Sequence, residues 1–337
     1  DRYASGSGRD AHEKGKKMAY SYREVLAMSS HLHTFIISQK KRSNSSADND
    51  TGEAPRRIAF LCHPGPLYIA TQFACWSSGS IAVPLCTSHK SSELAYVLKD
   101  CDPSFVIDGT TNLKEGRELR LAARKANAMD RYWCLDDVMA DFSLPDDTPG
   151  EHAQQTEAGD DIGCEYALGA NGEIPSRDHP ALIIYTSGTT GNPKGVVHTH
   201  RNLYHQVTDL VTSWGWTSED SILHFLPLHH VHGVINKLAC PIWVGASVEF
   251  VRFNPVRIWE RLARASRRWK GPSPADEADA ADGDNGNAAD EENAVARREP
   301  TVFMAVPTIY AKMLEVAPDL PTTLDPSEVT RKSPIRL

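Results

Sequence analysis

The run Tyr185-Thr186-Ser187-Gly188-Thr189-Thr190-Gly191-Asn192-Pro193-Lys194-Gly195 decides how the rest of the chain is read. It places four aliphatic hydroxyls, three glycines and one lysine in eleven residues, directly after the apolar run Ala181-Leu182-Ile183-Ile184. Glycines let a backbone turn several N–H groups toward one point, which makes an anion cradle. The hydroxyls of Thr186, Ser187, Thr189 and Thr190 add neutral donors, and Lys194 adds a movable positive charge. The pattern predicts a buried strand, this loop, then a helix, with a polyphosphate as the loop's ligand. A plain Gly/Ser/Thr linker is the competing reading, but linkers seldom join a buried strand to a helix. Two other phosphate fingerprints fail on spacing. G-x-x-x-x-G-K-[ST] needs Gly-Lys-Ser/Thr, whereas Lys194 lies between Pro193 and Gly195. G-x-G-x-x-G fails because no glycine stands at position 186.

Outward from the loop, apolar runs alternate with helical periods. On the N-terminal side strands are expected at Arg57 to Cys62, Ile81 to Leu85, Phe105 to Asp108, Tyr132 to Leu135 and Ala181 to Tyr185. Helices are expected at Leu67 to Ser78, Ser91 to Lys99 and Leu119 to Ala128. Ser21-Tyr22-Arg23-Glu24 reads as a capping box that opens a helix carrying Val25, Met28, Leu32 and Phe35 on one stripe. On the C-terminal side helices are expected at Asn202 to Ser213, Gly233 to Val244, Pro255 to Trp269 and Thr308 to Val316, with strands at Ser221 to Leu226, Ser247 to Val251 and Val302 to Ala305. Such alternation implies parallel strands joined by crossovers, an α/β architecture of mostly parallel sheets flanked by helices.

The length of 337 residues, with 40% hydrophobic and 24% charged, suits one large domain or two and excludes wholesale disorder. No run approaches the roughly 18 apolar residues of a membrane span. The formal net charge of −8 argues against a nucleic-acid-coating protein. Much of that charge sits in one low-complexity tract, Gly271 to Arg298, where eight acidic residues face two arginines. This tract and the Ser/Asn/Asp-rich segment 41–54 are expected to be disordered insertions. Seven cysteines, none at C-x-x-C spacing and most inside apolar runs, read as free thiols of a reducing compartment.

Two further segments carry chemistry. Leu226-Pro227-Leu228-His229-His230-Val231-His232-Gly233 concentrates three histidines, yet a short run of neighbours does not itself build tetrahedral metal geometry. Phe303-Met304-Ala305-Val306-Pro307-Thr308-Ile309-Tyr310 reads as a strand-to-helix junction with Pro307 at the helix start.

The glycine–hydroxyl run resembles the signature [YF]-T-S-G-[TS]-T-G-x-P-K-G of the adenylate-forming superfamily, which includes acyl-CoA synthetases, luciferases and peptide adenylation domains. Every position is met. The resemblance implies the large N-terminal domain of those enzymes, spanning 1–337 in part. It assigns Thr186, Ser187, Gly188, Thr189, Thr190, Gly191 and Lys194 to the phosphates of ATP. The histidine run is similar to P-[LM]-x-H-x-x-G, which sets His230 beside the acyl pocket, and Val306-Pro307-Thr308 is similar to a segment bordering that pocket. Within the superfamily these runs resemble malonyl-CoA synthetases of mitochondrial and plant type. The implied reaction joins a small carboxylic acid, malonate or a similar one, to coenzyme A through an acyl-adenylate, with ATP and Mg2+. Arg336 falls where a cation for a second carboxylate is expected, and an ordinary surface arginine fits equally. Another adenylating ligase for fatty, aryl or amino acids, or a catalytically incomplete nucleotide-binding fragment, is the alternative. The family's Y-G-x-T-E and T-G-D segments and its late catalytic lysine do not occur in this sequence. The expectation is therefore that the chain does not turn over by itself, and that the intact enzyme works in mitochondria or cytoplasm.

Overall fold

The computed structural model describes residues 19–43, 55–110, 113–144, 176–186, 191–266 and 299–319. They fall into two compact units, one comprising Asp1–His205 with Pro227–Val231 and the other Gln206–Leu226 with His232–Leu337.

The first unit is built on a six-stranded sheet in the order β4-β3-β1-β2-β5-β6. Its strands are β1 (Arg57–Cys62), β2 (Ile81–Pro84), β3 (Phe105–Gly109), β4 (Tyr132–Cys134), β5 (Pro180–Thr186) and β6 (Lys194–Thr199). The first five pair in parallel, and only β5–β6 is antiparallel. Parallel strands flanked by helices are buried on both faces and so become continuous apolar runs; β1 has Ile58, Ala59, Phe60 and Leu61 all at 0% exposure. The helices are α1 (Tyr22–Ser43), α2 (Pro66–Ser77), α3 (Ser91–Cys101), α4 (Lys114–Lys125) and the single turn α5 (Leu135–Val138). In α1 the capping box forms as expected: Glu24 N donates to Ser21 Oγ at 3.2 Å and Ser21 N to Glu24 Oε2 at 2.6 Å. Leu94, Leu98, Leu119 and Ala122 bury the inner faces of α3 and α4 against Leu61, Val83 and Val106.

The second unit carries β7 (Ser221–His224) and β8 (Ser247–Phe250), paired in parallel. Its helical elements are the later part of α6 (His200–Trp214), a π-helix at His232–Ala239, then α7 (Cys240–Trp243), α8 (Pro255–Ser266) and α9 (Pro307–Val316). Leu223, Ile258, Trp259, Leu262, Phe303 and Met313 form its apolar core. Asp220 anchors the incoming chain, accepting from Thr217 N at 2.8 Å and from Thr301 Oγ1 at 2.6 Å.

The α/β reading holds, with local corrections. The loop after β5 leads into a second strand, β6, before the helix; Val196 and Val197 are exposed at 43% and 53% and carry no burial signal. The expected strand Val302 to Ala305 is only a single bridge between Val302 and Ile222. The expected helix from Gly233 begins instead as a π-helix. The buried stripe of α1 ends on Ile36, while Phe35 packs edge-on against Trp133 with ring centroids 5.0 Å apart. Helix α1 also extends through residues 41–43 of the tract expected to be disordered; residues 44–54 and 271–298 lie outside the described residues. The six described cysteines are all free, five of them buried.

Candidate active site

Strand β5 runs parallel to its neighbour β2, so Thr186 lies at the carboxyl end, the edge of α/β sheets where ligands bind. Strand β6 returns antiparallel, pairing Thr186 with Lys194 and Tyr185 with Gly195. The two strands are held in register, with Thr186 paired to Lys194 where β5 ends and β6 begins. Thr186 Oγ1 donates to the Lys194 carbonyl at 3.5 Å. Thr186, Gly191 and Lys194 are all exposed. Ser187, Gly188, Thr189 and Thr190 lie outside the described residues, as does Arg336.

Side chains from α3 brace the stems. Tyr96 Oη donates to the Pro193 carbonyl at 2.9 Å, and Tyr185 Oη donates to Asp100 Oδ2 at 2.6 Å. Burial, with the Asp100 hydrogen bond second, pushes the Tyr185 phenol well up, so it stays a neutral donor. Gly195 is required by space: a Cβ there would stand 2.9 Å from the Ile183 side chain and 3.2 Å from the Tyr185 ring. A rigid, braced stem beneath a polar tip suits a loop that must present donors to an anion.

His230 lies in the first unit on the segment Pro227–Val231, which Tyr68 secures by donating to the Leu228 carbonyl at 2.9 Å. His230 is exposed, and its ring lies 4.1 Å from the more buried His229 ring, with His89 6.0 Å beyond His229. Burial, then His230 and His89, pushes His229 down to about 3. Burial and then His89 lower His230. These imidazoles are held neutral, as hydrogen-bonding groups rather than cations. His232 belongs to the second unit, where its Nδ1 lies 3.4 Å from Asn236 Nδ2. His232 Nε2 and Asn236 Oδ1 are buried without hydrogen-bond partners. Among the described residues no group of three or more His, Cys, Asp or Glu could hold a metal ion.

Residues 49–270 match the AMP-binding enzyme family. The chain belongs to that family. It is 36% identical over 300 residues to the mitochondrial malonate–CoA ligase ACSF3 of Xenopus laevis, covering 88% of this chain and 41% of that protein. It is 32% identical over 262 residues to the malonate–CoA ligase of Arabidopsis thaliana, covering 77% of this chain and 36% of that protein. The chain thus spans less than half the length of these relatives. Its fold is that of ATP-bound MatB from Rhodopseudomonas palustris, with a TM-score of 0.60 at 21% identity over 92% of this chain and 47% of the other. A malonyl-CoA ligase solved with methylmalonyl-CoA and AMP superposes with a TM-score of 0.58 at 24% identity, over 94% of this chain and 49% of that one.

One buried charge escaped the sequence reading. Lys237 has 0% exposure inside the π-helix. It is the only Lys, Arg, Asp or Glu between Asp220 and Glu249, and that isolation in an apolar run was the available signal.

Proposed function

We propose that this chain is the nucleotide- and acyl-binding portion of an AMP-forming acid–thiol ligase that joins malonate, or a related small dicarboxylate, to coenzyme A. The braced β5–β6 hairpin is the observation that carries this reading, because it sets Thr186 opposite Lys194 at the mouth of a glycine–hydroxyl tip. In the reaction the substrate carboxylate attacks the α-phosphate of ATP, pyrophosphate leaves, and the CoA thiol displaces AMP from the acyl-adenylate. Thr186, Ser187, Gly188, Thr189, Thr190 and Gly191 supply donors to the phosphates, and Lys194 offsets their growing charge as pyrophosphate departs. His230, neutral at pH 7, hydrogen-bonds on the acyl side, and Arg336 pairs with the second carboxylate. Mg2+ would accompany the triphosphate, and Lys194 would add a positive charge from this chain beside it.

Malonate–CoA ligase relatives from an animal and a plant support the substrate class, and a mitochondrial or cytoplasmic site accords with them. The test is ATP-dependent hydroxamate formation by a polypeptide extended to the relatives' length. Malonate or methylmalonate is expected to give product and fatty, aryl and amino acids little. Product from amino acids alone, or none from any acid, would refute the assignment.

A further inference from the structure

Helix α3 reaches the β5–β6 pair at two points within the first unit. Tyr96 and Asp100 stand four residues apart in α3, on one face and one turn from each other. Tyr96 Oη donates to the Pro193 carbonyl at 2.9 Å, and Asp100 Oδ2 accepts from Tyr185 Oη at 2.6 Å. Both phenol rings pack against the apolar core of this unit. The helix is itself a firm support: Leu94, Ala95, Val97, Leu98 and Cys101 are buried, and at its start Lys90 N donates to Glu93 Oε2 at 2.9 Å.

The two contacts hold different things. Tyr185 belongs to β5, whose backbone the ladder already fixes opposite Gly195. Pro193 stands one residue before the ladder begins at the Lys194–Thr186 pair, and a proline has no N–H with which to join it. The Tyr96 bond therefore secures backbone that the ladder does not. The peptide between Pro193 and Lys194 is trans, so one plane contains the Pro193 carbonyl and the nitrogen and Cα of Lys194. Gripping the carbonyl fixes that plane, and with it the root from which the Lys194 side chain leaves. Lys194 is exposed, so packing does not set its course. A fixed root reduces the freedom that a long side chain must give up when it takes an anion.

We propose that Tyr96 is a positioning residue for the phosphate contact of Lys194, acting through the plane of the Pro193–Lys194 peptide. The proposal rests on the ligase reading for the identity of the anion, ATP. It deepens that reading by naming the group that aims its cation.

The sequence contains a single Pro-Lys pair, Pro193-Lys194. Labelling the 337-residue protein with 13C-carbonyl proline and 15N-lysine therefore gives one cross-peak, at the peptide in question. Tyr96→Phe keeps the ring and removes only the hydroxyl. It should move that peak and weaken ATP binding, read by titrating the same peak, about tenfold. In the enzyme extended to the relatives' length it should lower kcat/KM for ATP about tenfold and change the carboxylate KM less than about twofold. In a Lys194→Ala background the same substitution should cost less than about twofold, because the lysine it aims is gone. A peak unmoved by Tyr96→Phe, or undiminished ATP affinity, overturns the proposal. So does a carboxylate KM raised as much as the loss for ATP. The full loss repeated in the Lys194→Ala background also overturns it, and would make Tyr96 a brace of the fold alone. If the extended enzyme forms no hydroxamate with any acid, the ligase reading falls and the ATP titration decides the proposal by itself. A natural protein whose peak ATP leaves in place then overturns it.

Discussion

In the six-stranded sheet, β1 buries Ile58, Ala59, Phe60 and Leu61, an unbroken apolar run. In the second unit, β7 buries Ser221 and His224 on either side of Ile222 and Leu223, and Lys237 is buried nearby over Phe225. The first interior also buries a charge, Asp108, but surrounds it with donors: Thr110 N and Oγ1 donate to its Oδ1 at 2.9 and 2.7 Å, and Tyr132 Oη donates to its Oδ2. The second buries the Lys237 amine against the Met304 carbonyl and an aromatic face, beside a π-helix and a segment that joins the sheet by a single bridge. Where a protein keeps buried polar atoms and irregular backbone together, local rules for stable folding have been set aside for another purpose.

The sharpest way to break this contrast is to remove the charge from the second interior. Lys237 is protonated up to pH 10.5 when unfolded and only to about 6 when folded. Between those values the unfolded state binds more protons, so the stability of the natural protein rises with pH, and the penalty is full below about 6. Lys237→Met should therefore be the more stable form at neutral pH. Its advantage should shrink by roughly 1.4 kcal/mol per pH unit on raising pH from about 6 toward 10.5. Urea unfolding across that range measures it, and a pH-independent difference would mean that the amine is not held in a dry interior.

In the apolar sheet a deletion should act in the opposite direction. Phe60 is fully buried with its ring 5.2 Å from that of Tyr68, and Phe60→Ala should cost about 3–5 kcal/mol at any pH between 6 and 9. Chemical denaturation would show it as a lowered midpoint with little change in slope.

The hairpin joins the two themes, since its β5 stem is buried and its β6 stem is exposed. Lys194→Ala should leave folding intact but lower kcat/KM for ATP in the extended enzyme by about 100- to 1,000-fold. Gly195→Ala should destabilise the stem by about 1–3 kcal/mol because Ile183 and Tyr185 occupy the space of the new methyl. Tyr185→Phe, which loses only the bond to Asp100, should cost about 1 kcal/mol.

The same contrast governs what could be read from the chain alone. Strand β1, helix α3 and the capping box at Ser21 were legible because burial imposes periodicity and a cap imposes a local pair. Strand β6 was not, since its paired backbone carries exposed Val196 and Val197 that face no core. The π-helix was seen as a helix but not as a π-helix, because apolar spacing does not report an i→i+5 bond pattern. The hydroxyls and glycines of the tip were recognisable as chemistry, whereas their bracing by Tyr96 and Asp100 arises from α3, far away in sequence. Lys237 was visible only as an isolated charge, and its carbonyl partner depends on a contact across 67 residues.

The phosphates of a nucleotide are proposed to bind at Thr186 through Gly195. Adding ATP to the 15N-labelled 337-residue protein, with Lys194→Ala and AMP as controls, tests it most directly. Amide shifts confined to Thr186 through Gly195, weakened at least tenfold by Lys194→Ala and absent with AMP, are the expected result. Shifts elsewhere, or equal shifts in the natural and Lys194→Ala proteins, would contradict it.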